Sequence, residues 1–261
     1  MCDTLLFLET SATHFILVPT YNERNNIRVL VEKLFSLYPT IHVLVIDDSS
    51  PDGTADVVKE HQSAYPNLHL KQRSGKLGLA SAYLGAFKDI LRDYPDVQTI
   101  TTMDADLSHD PSVIGTLHEE MRTHDLVLGS RYISGGSIGN WGLWRRFLSI
   151  GGNLYTRMVT RSRVRDLTGG FNCYSAQLLK RYDLDAIQAE GYGYQMEMKI
   201  TAEHLGARIK EVPITFSDRT DGESKISNHI IYEGLIVPWR FSPLRAIFKD
   251  RCYSRSATRS M

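Results

Sequence analysis

Short β-branched apolar runs alternate with longer stretches of helical periodicity through the first half of this 261-residue chain. Residues 15–18 form an apolar run ended by Pro19, and Ile27, Leu30, Val31, Leu34 and Phe35 then recur at helical spacing. Residues 41–46 are again β-branched and stop at Asp47-Asp48. The same reading predicts helices over 55–65, 79–91 and 112–122, and strands over 68–71, 98–103 and 126–128. Runs too short for helices and apolar on both faces belong to a mostly parallel sheet covered by helices on either side. The chain is long enough for one large α/β unit.

A polar cluster follows each strand at once: Thr20-Tyr21-Asn22-Glu23, Asp47-Asp48-Ser49, Asp104-Ala105-Asp106 and Gly129-Ser130-Arg131. Open α/β sheets bind ligands beyond the carboxyl ends of their strands, so four such ends together predict a cleft. Asp104 and Asp106 are the sharpest signal. If the run 98–103 before them is a buried strand, its pleat points both to one face at the strand's exposed end, where like charges this close repel unless a cation joins them. Two hard oxygen ligands suit magnesium or manganese shared with substrate phosphates. Taken alone, the pair fits a solvated loop better than a site. Of Asp47 and Asp48, only one should enter the cleft. The first strand is followed by Pro19-Thr20-Tyr21-Asn22-Glu23 rather than G-x-G-x-x-G, and Gly75-Lys76 is followed by Leu77, which excludes a P-loop. Metal and basic side chains must then carry any phosphate chemistry.

Past Arg131 the texture changes. Residues 134–142 are rich in glycine and serine and read as a mobile loop. Residues 144–160 mix aromatics with Arg145, Arg146 and Arg157 and read as an amphipathic basic helix. A strand over 168–174, a helix over 194–205 and a strand pair over 208–216 broken by Pro213 follow. Residues 226–249 alternate apolar and basic positions, and 250–261 read as a frayed tail. Thirty basic residues cancel thirty acidic ones, which argues against general nucleic-acid binding. Cys2, Cys173 and Cys252 form no metal motif, and Cys173 reads as core. Residues 4–8 are too short for a signal peptide, and no apolar run approaches a membrane span.

The motifs Val18-Pro19-Thr20-Tyr21-Asn22-Glu23, Asp47-Asp48-Ser49-Ser50-Pro51-Asp52-Gly53-Thr54, Asp104-Ala105-Asp106-Leu107-Ser108-His109, Gly129-Ser130-Arg131-Tyr132 and residues 218–225 come in a telling order. Together they resemble the polyprenol (dolichyl) phosphate mannose synthases, inverting family-two glycosyltransferases of the GT-A fold. The resemblance runs from about Phe15 to Phe248. It implies a GT-A unit over 1–249, with a catalytic core at about 14–225 and amphipathic interfacial helices over 226–249.

Position by position, the resemblance implies that Pro19, Tyr21, Glu23, Ile46 and Asp48 meet the nucleotide of GDP-mannose. Asp104, Ala105 and Asp106 would meet its diphosphate, with Asp104 and Asp106 holding Mg2+ or Mn2+. Arg131, Arg219 and Lys225 would neutralise phosphates, and with Asp106 would carry catalysis. Arg131, Arg145 and Ser149 would contact the phosphate of a dolichyl or polyprenyl monophosphate. Gln195 and Glu197 would lie near the sugar. Where some relatives carry Gln two residues beyond the second aspartate, this chain has Ser108, which leaves that ligand position open. The acceptor is already anionic, so no essential general base is expected.

A polyprenyl tail requires contact with a membrane, and Trp141, Trp144, Phe147, Leu148 and Ile150 beside the arginines suit an interfacial helix. The implied location is peripheral on the cytosolic face, of the endoplasmic reticulum in a eukaryote or the plasma membrane in a prokaryote. Direct docking and a small membrane-protein partner both remain open. So do a UDP-glucose-dependent transfer to the same lipid and a non-catalytic sugar-nucleotide module.

Overall fold

The computed structural model describes residues 13–139, 142–217 and 236–241, the side chains of Leu143, Arg145 and Tyr192 excepted. Arg219, Lys225, Trp141, most of 226–249 and the 250–261 tail therefore lie outside the described residues, as does the side chain of Arg145.

The chain alternates β1 (Thr13–Thr20), α1 (Arg24–Leu37), β2 (His42–Asp47), α2 (Thr54–Gln62), β3 (Leu68–Gln72), α3 (Leu79–Asp93) and β4 (Val97–Thr102). A 3-10 turn at Pro111–Val113 leads into α4 (Ile114–Glu120) and β5 (Leu126–Ser130). Then come β6 (Ser137–Ile138), α5 (Leu143–Thr160), β7 (Asn172–Ser175), α6 (Ala176–Leu179), α7 (Gly191–His204), β8 (Ile209–Pro213) and β9 (Thr215–Phe216). Seven strands form one sheet in the order β3-β2-β1-β4-β7-β5-β8. All neighbours run parallel except β7, which is antiparallel to both β4 and β5.

Period-two alternation divides the core. Phe15 and Leu17 of β1, with Leu44 and Ile46 of β2, pack with α3, α6 and α7 on one face. Ile16 and Val18, with Val43 and Val45, pack with α1, α2 and α4 on the other. Ile27, Leu30, Val31, Leu34 and Phe35 are the buried stripe of α1, as their spacing predicts.

Three expectations need correction. The strand predicted over 168–174 begins only at Asn172, because Asp166–Gly170 forms a turn held by side-chain bonds described below. The glycine-rich stretch predicted as a mobile loop carries β6, which pairs with β9 in a separate two-stranded sheet. Pro213 is where the chain leaves the main sheet, so β8 and β9 belong to different sheets rather than to one strand pair.

The antiparallel β7 has a consequence for function. Its first residue, Asn172, lies opposite Thr102 of β4 and Leu128 of β5. The turn preceding β7 therefore sits at the carboxyl ends of those two strands. Sequence periodicity sets the pleat but not the direction of a strand, so this placement had no direct signal.

Candidate active site

The aspartate pair is positioned by a loop. β4 stops at Thr102, two residues before Asp104, so the pleat does not orient the pair as expected. Leu107 takes a left-handed φ of 60°. Oδ1 of Asp106 accepts the Ser108 amide at 3.1 Å and the Ser108 hydroxyl at 2.5 Å, an Asx turn that fixes the carboxylate. Ser108 thus orients Asp106. Its hydroxyl is engaged with that carboxylate.

Beside it, the Asp104 amide donates to Nδ1 of buried His109 at 3.1 Å. Burial pushes this histidine below its usual pKa, and the neutral ring accepts at Nδ1. It stacks on Phe171 with centroids 4.9 Å apart and meets Phe216 edge-on at 5.4 Å. His109 is a buried support for the loop. The Tyr83 hydroxyl of α3 supports the same loop through the Met103 carbonyl at 3.4 Å.

Gly170 lies against this pair. A Cβ there would stand 3.5 Å from Oδ1 of Asp104 and 3.7 Å from Nε2 of Gln195. Glycine leaves that space beside the carboxylate open. Gln195 accepts from Asn172 Nδ2 at 3.0 Å, whereas Glu197 turns away and takes the amides of Gln188 and Ala189. Of that pair on α7, only Gln195 reaches the site.

Arg131 leaves the end of β5 and is nearly buried, as is its partner Asp166, with side-chain exposures of 6% and 0%. Nε and the backbone amide of Arg131 donate to Oδ2 of Asp166, and Nη2 donates to Oδ1 at 2.7 Å. Nη2 also reaches the Thr168 hydroxyl at 2.8 Å. With the Gly169 amide on Oδ1, the Asp166 carboxylate receives four donors. Burial alone would raise its pKa, but the Arg131 charge and these bonds hold it below the usual carboxylate range. The guanidinium carbon also lies 5.5 Å from the Phe216 ring, the ring that His109 touches. One aromatic thus joins the aspartate loop to Arg131.

The nucleotide side is built by β1 and β2. Asp47 is fully buried and holds the turn, accepting from Thr20 Oγ1 at 2.9 Å and from Ser50. Asp48 binds the Arg73 guanidinium through Oδ1 and the amides of Leu77 and Gly78 through Oδ2. It shapes the 73–78 loop, and Lys76 of that loop stands 4.2 Å over the exposed ring of Tyr21. Glu23 accepts from Asn26 at 2.8 Å, Pro19 is half-buried near the end of β1, and the Ile46 side chain belongs to the core.

On the acceptor side, Ser149 Oγ and Tyr132 OH share a 2.6 Å bond between α5 and the loop after β5. Asn153 of α5 binds Thr168 and accepts the Leu167 amide, tying α5 to the turn before β7. From the same helix Trp144, Phe147, Ile150, Leu154 and Met158 are exposed, Trp144 at 71%. Their spacing gathers them on roughly 120° of one face at 100° per residue. Trp239, in a helical turn at 236–240, donates to Tyr155 at 2.7 Å and extends this apolar face.

Sequence reading missed Asp166, Thr168, Asn153, Arg73 and Lys199. None of these had a clear local signal: Lys199 alternates with apolar Met198 and Ile200 just as Gln195, Glu197 and Thr201 alternate with their neighbours. Among the described residues no group of three or more His, Cys, Asp or Glu side chains gathers to hold a metal, and no helix is long and apolar enough to cross a membrane.

The sequence matches the model of "Glycosyl transferase family 2" over residues 15–187. It is 41% identical to the undecaprenyl-phosphate mannosyltransferase of Micrococcus luteus over 84% of this chain and 90% of that protein. It is 39% identical to the polyprenol monophosphomannose synthase of Mycolicibacterium smegmatis over 86% and 85%. Among solved structures it resembles the glucosyl-3-phosphoglycerate synthase of Mycobacterium tuberculosis, crystallised with Mn2+, UDP and glucosyl-3-phosphoglycerate, with a TM-score of 0.62 at 17% identity over 87% of this chain and 77% of that one. It also resembles the mannosyltransferase PcManGT of Pyrobaculum calidifontis, in complex with GDP-Man and Mn2+, with a TM-score of 0.53 at 17% identity over 81% and 58%. These last two likenesses carry the fold: a mostly parallel sheet flanked by helices, of the GT-A type. Matched across two thirds of its length by the family model, and nearly 40% identical to two such enzymes over most of it, the chain belongs to glycosyl transferase family 2.

Proposed function

We propose that this enzyme transfers mannose from GDP-mannose to a polyprenyl monophosphate, with inversion at the anomeric carbon. The carrying observation is the convergence at one sheet end of the Asp104/Asp106 loop, the Arg131–Asp166 pair and an exposed apolar helix face. Two names among relatives near 40% identity, both mannosyl transfers to polyprenyl acceptors, support the choice of sugar and lipid.

Asp104 and Asp106 fit a divalent metal. They are hard oxygen donors, Asp106 is already fixed by Ser108, and Gly170 leaves room beside Asp104. Two hard carboxylates would suit Mg2+ or Mn2+, ions that are commonly shared with substrate phosphates. Such an ion, when bound, offsets the charge developing on the departing diphosphate. The protein does the rest. Tyr21, Glu23 and the Asp48-tethered loop receive the nucleotide. Arg131 faces phosphate, with Ser149 and Tyr132 beside it, and Arg145, Arg219 and Lys225 complete the cationic set. Holding two anionic reactants in line is the main task, since a phosphate monoester attacks without losing a proton.

The acceptor tail explains the bare face of α5. Trp144, Phe147 and Trp239 lie where an interfacial helix would meet lipid, with Arg146 available to anionic head groups. The enzyme then sits peripherally on the cytosolic side, within reach of GDP-mannose, and the catalytic core spans about 14–225. Trp144→Ser with Phe147→Ser should lower binding to anionic phospholipid vesicles by about tenfold or more, while transfer to a short-chain, water-soluble polyprenyl phosphate persists. Unchanged vesicle sedimentation would sink the assignment of this face.

The donor is tested by presenting labelled GDP-mannose and UDP-glucose with a polyprenyl phosphate in detergent. Mannosyl-lipid is the expected product. A preference for UDP-glucose would replace this reading with the glucosyl one, and no turnover with either would indicate a binding module.

A further inference from the structure

α7 is buried along one continuous stretch, and Lys199 within it has no solvent exposure. Placing an ammonium there is costly, and two neutral acceptors do not explain the choice of residue. Its Nζ donates to the carbonyl oxygens of Asp166 at 2.9 Å and Gly169 at 2.7 Å, the two ends of the turn before β7. That turn presents Asp166 to Arg131 and Gly170 to Asp104. A glutamine could satisfy one of these carbonyls without any charge.

Charge accounting gives the reason. Behind Arg131 lie two carboxylates, Asp166 and Glu211, the latter binding the amides of Arg165 and Asp166. Without Lys199 this group would carry one cation against two anions, a poor backing for a residue that must attract phosphate. With it, the charges balance. We infer that Lys199 is a positioning residue, whose buried ammonium offsets the carboxylates behind Arg131 and so sets the affinity for the acceptor phosphate. The inference rests on Arg131 facing that phosphate.

Burial pushes the Lys199 ammonium down to about 8, against the pull of Asp166. The other charged groups facing it are Asp166, Arg131 and Glu211. Its charge can therefore be removed by pH as well as by mutation.

The test is steady-state kinetics with polyprenyl phosphate for wild type, Lys199→Gln, Arg131→Gln and the double variant. Lys199→Gln should raise KM for the lipid phosphate by about tenfold with a smaller change in kcat, and should add less than about twofold to Arg131→Gln. In wild type, KM should rise several-fold from pH 7 to 9, and in Lys199→Gln it should stay flat. An unchanged KM in Lys199→Gln, or effects that multiply in the double variant, would overturn the inference while leaving the reading of Arg131 intact. An unchanged KM in Arg131→Gln would overturn both. Should Lys199→Gln fail to fold, Lys199→Met, which keeps the length of the side chain without its charge, takes its place, and an unchanged KM for the lipid phosphate in it overturns the inference.

Discussion

Asp106→Asn should lower mannosyl transfer by at least about a thousandfold while leaving the protein folded. The carboxylate is buried, and its Oδ1 accepts both the amide and the hydroxyl of Ser108. An asparagine oxygen can keep the Asx turn, so the left-handed Leu107 need not move. What is lost is the negative charge toward a divalent ion. Removing one preorganised electrostatic contact in an active site typically costs 10²–10³ in kcat, and losing the metal costs more.

Asp106→Ala removes the turn as well. It leaves the Ser108 amide and hydroxyl without their acceptor, at about 1–3 kcal/mol of stability. Comparing the two separates chemistry from folding. Both should lose turnover and weaken Mn2+ binding measured by calorimetry, and only alanine should lower the melting temperature. Near-normal turnover in Asp106→Asn would remove this residue from the metal site.

Legibility in the sequence followed from the range of the interactions. The alternation from β1 to β5 was readable because the inner strands are buried on both faces and each helix on one, and such patterns are local. The four polar clusters also lie at strand ends, as predicted. What failed to show were contacts made across the fold. Arg131 looked like a loop cation, yet its partner Asp166 is 35 residues away. Lys199 reaches backbone carbonyls 33 and 30 residues back, acceptors that every residue carries and that leave no sequence signature. The aspartate pair was found for its composition, but its geometry was misassigned to the pleat. A left-handed leucine and a serine hydroxyl set it instead.

Acid should unfold this protein as its buried histidines take up protons, before Asp52, Asp125 and Asp166 are protonated. His14 and His118 stack at 4.7 Å at the amino-terminal end of the sheet, remote from the aspartate loop. His14 Nδ1 pairs with Thr99 at 2.7 Å and His118 Nε2 with Thr101 at 3.2 Å, and His118 Nδ1 has no partner. Burial pushes His14 down to about 4 and His118, which also feels His14, to about 3. Nearby, His42 and His69 share one 3.0 Å bond between ring nitrogens, and burial lowers both. A doubly protonated pair could not keep that bond.

The sign follows from proton binding. The unfolded histidines titrate near about 6.5, so between that value and the depressed folded values the unfolded chain binds more protons. The stability these groups hold is therefore complete above about pH 6.5 and is lost as pH falls toward 4 and then 3. Asp52, Asp125 and Asp166, held below the usual carboxylate value, add their loss only at lower pH. The cavity of about 540 Å³ beside His14 and His118 also contains Asp96, Asp125, Arg122, His124, Lys180 and Arg208. Of its carboxylates, Asp125 is paired with Arg208.

One pKa unit is worth about 1.4 kcal/mol, so the stacked pair alone involves several kcal/mol. A typical domain holds about 5–15 kcal/mol in all, which places the acid transition near pH 4–5. Urea midpoints should fall steadily from pH 6.5 to 4.5, with a net uptake of about two protons or more on unfolding. His118→Phe keeps a flat ring in the buried slot and removes one titrating group. Its midpoint should depend less steeply on pH, by about one proton. A wild-type midpoint that stays constant down to pH 4 would mean that these imidazoles are not held neutral by burial.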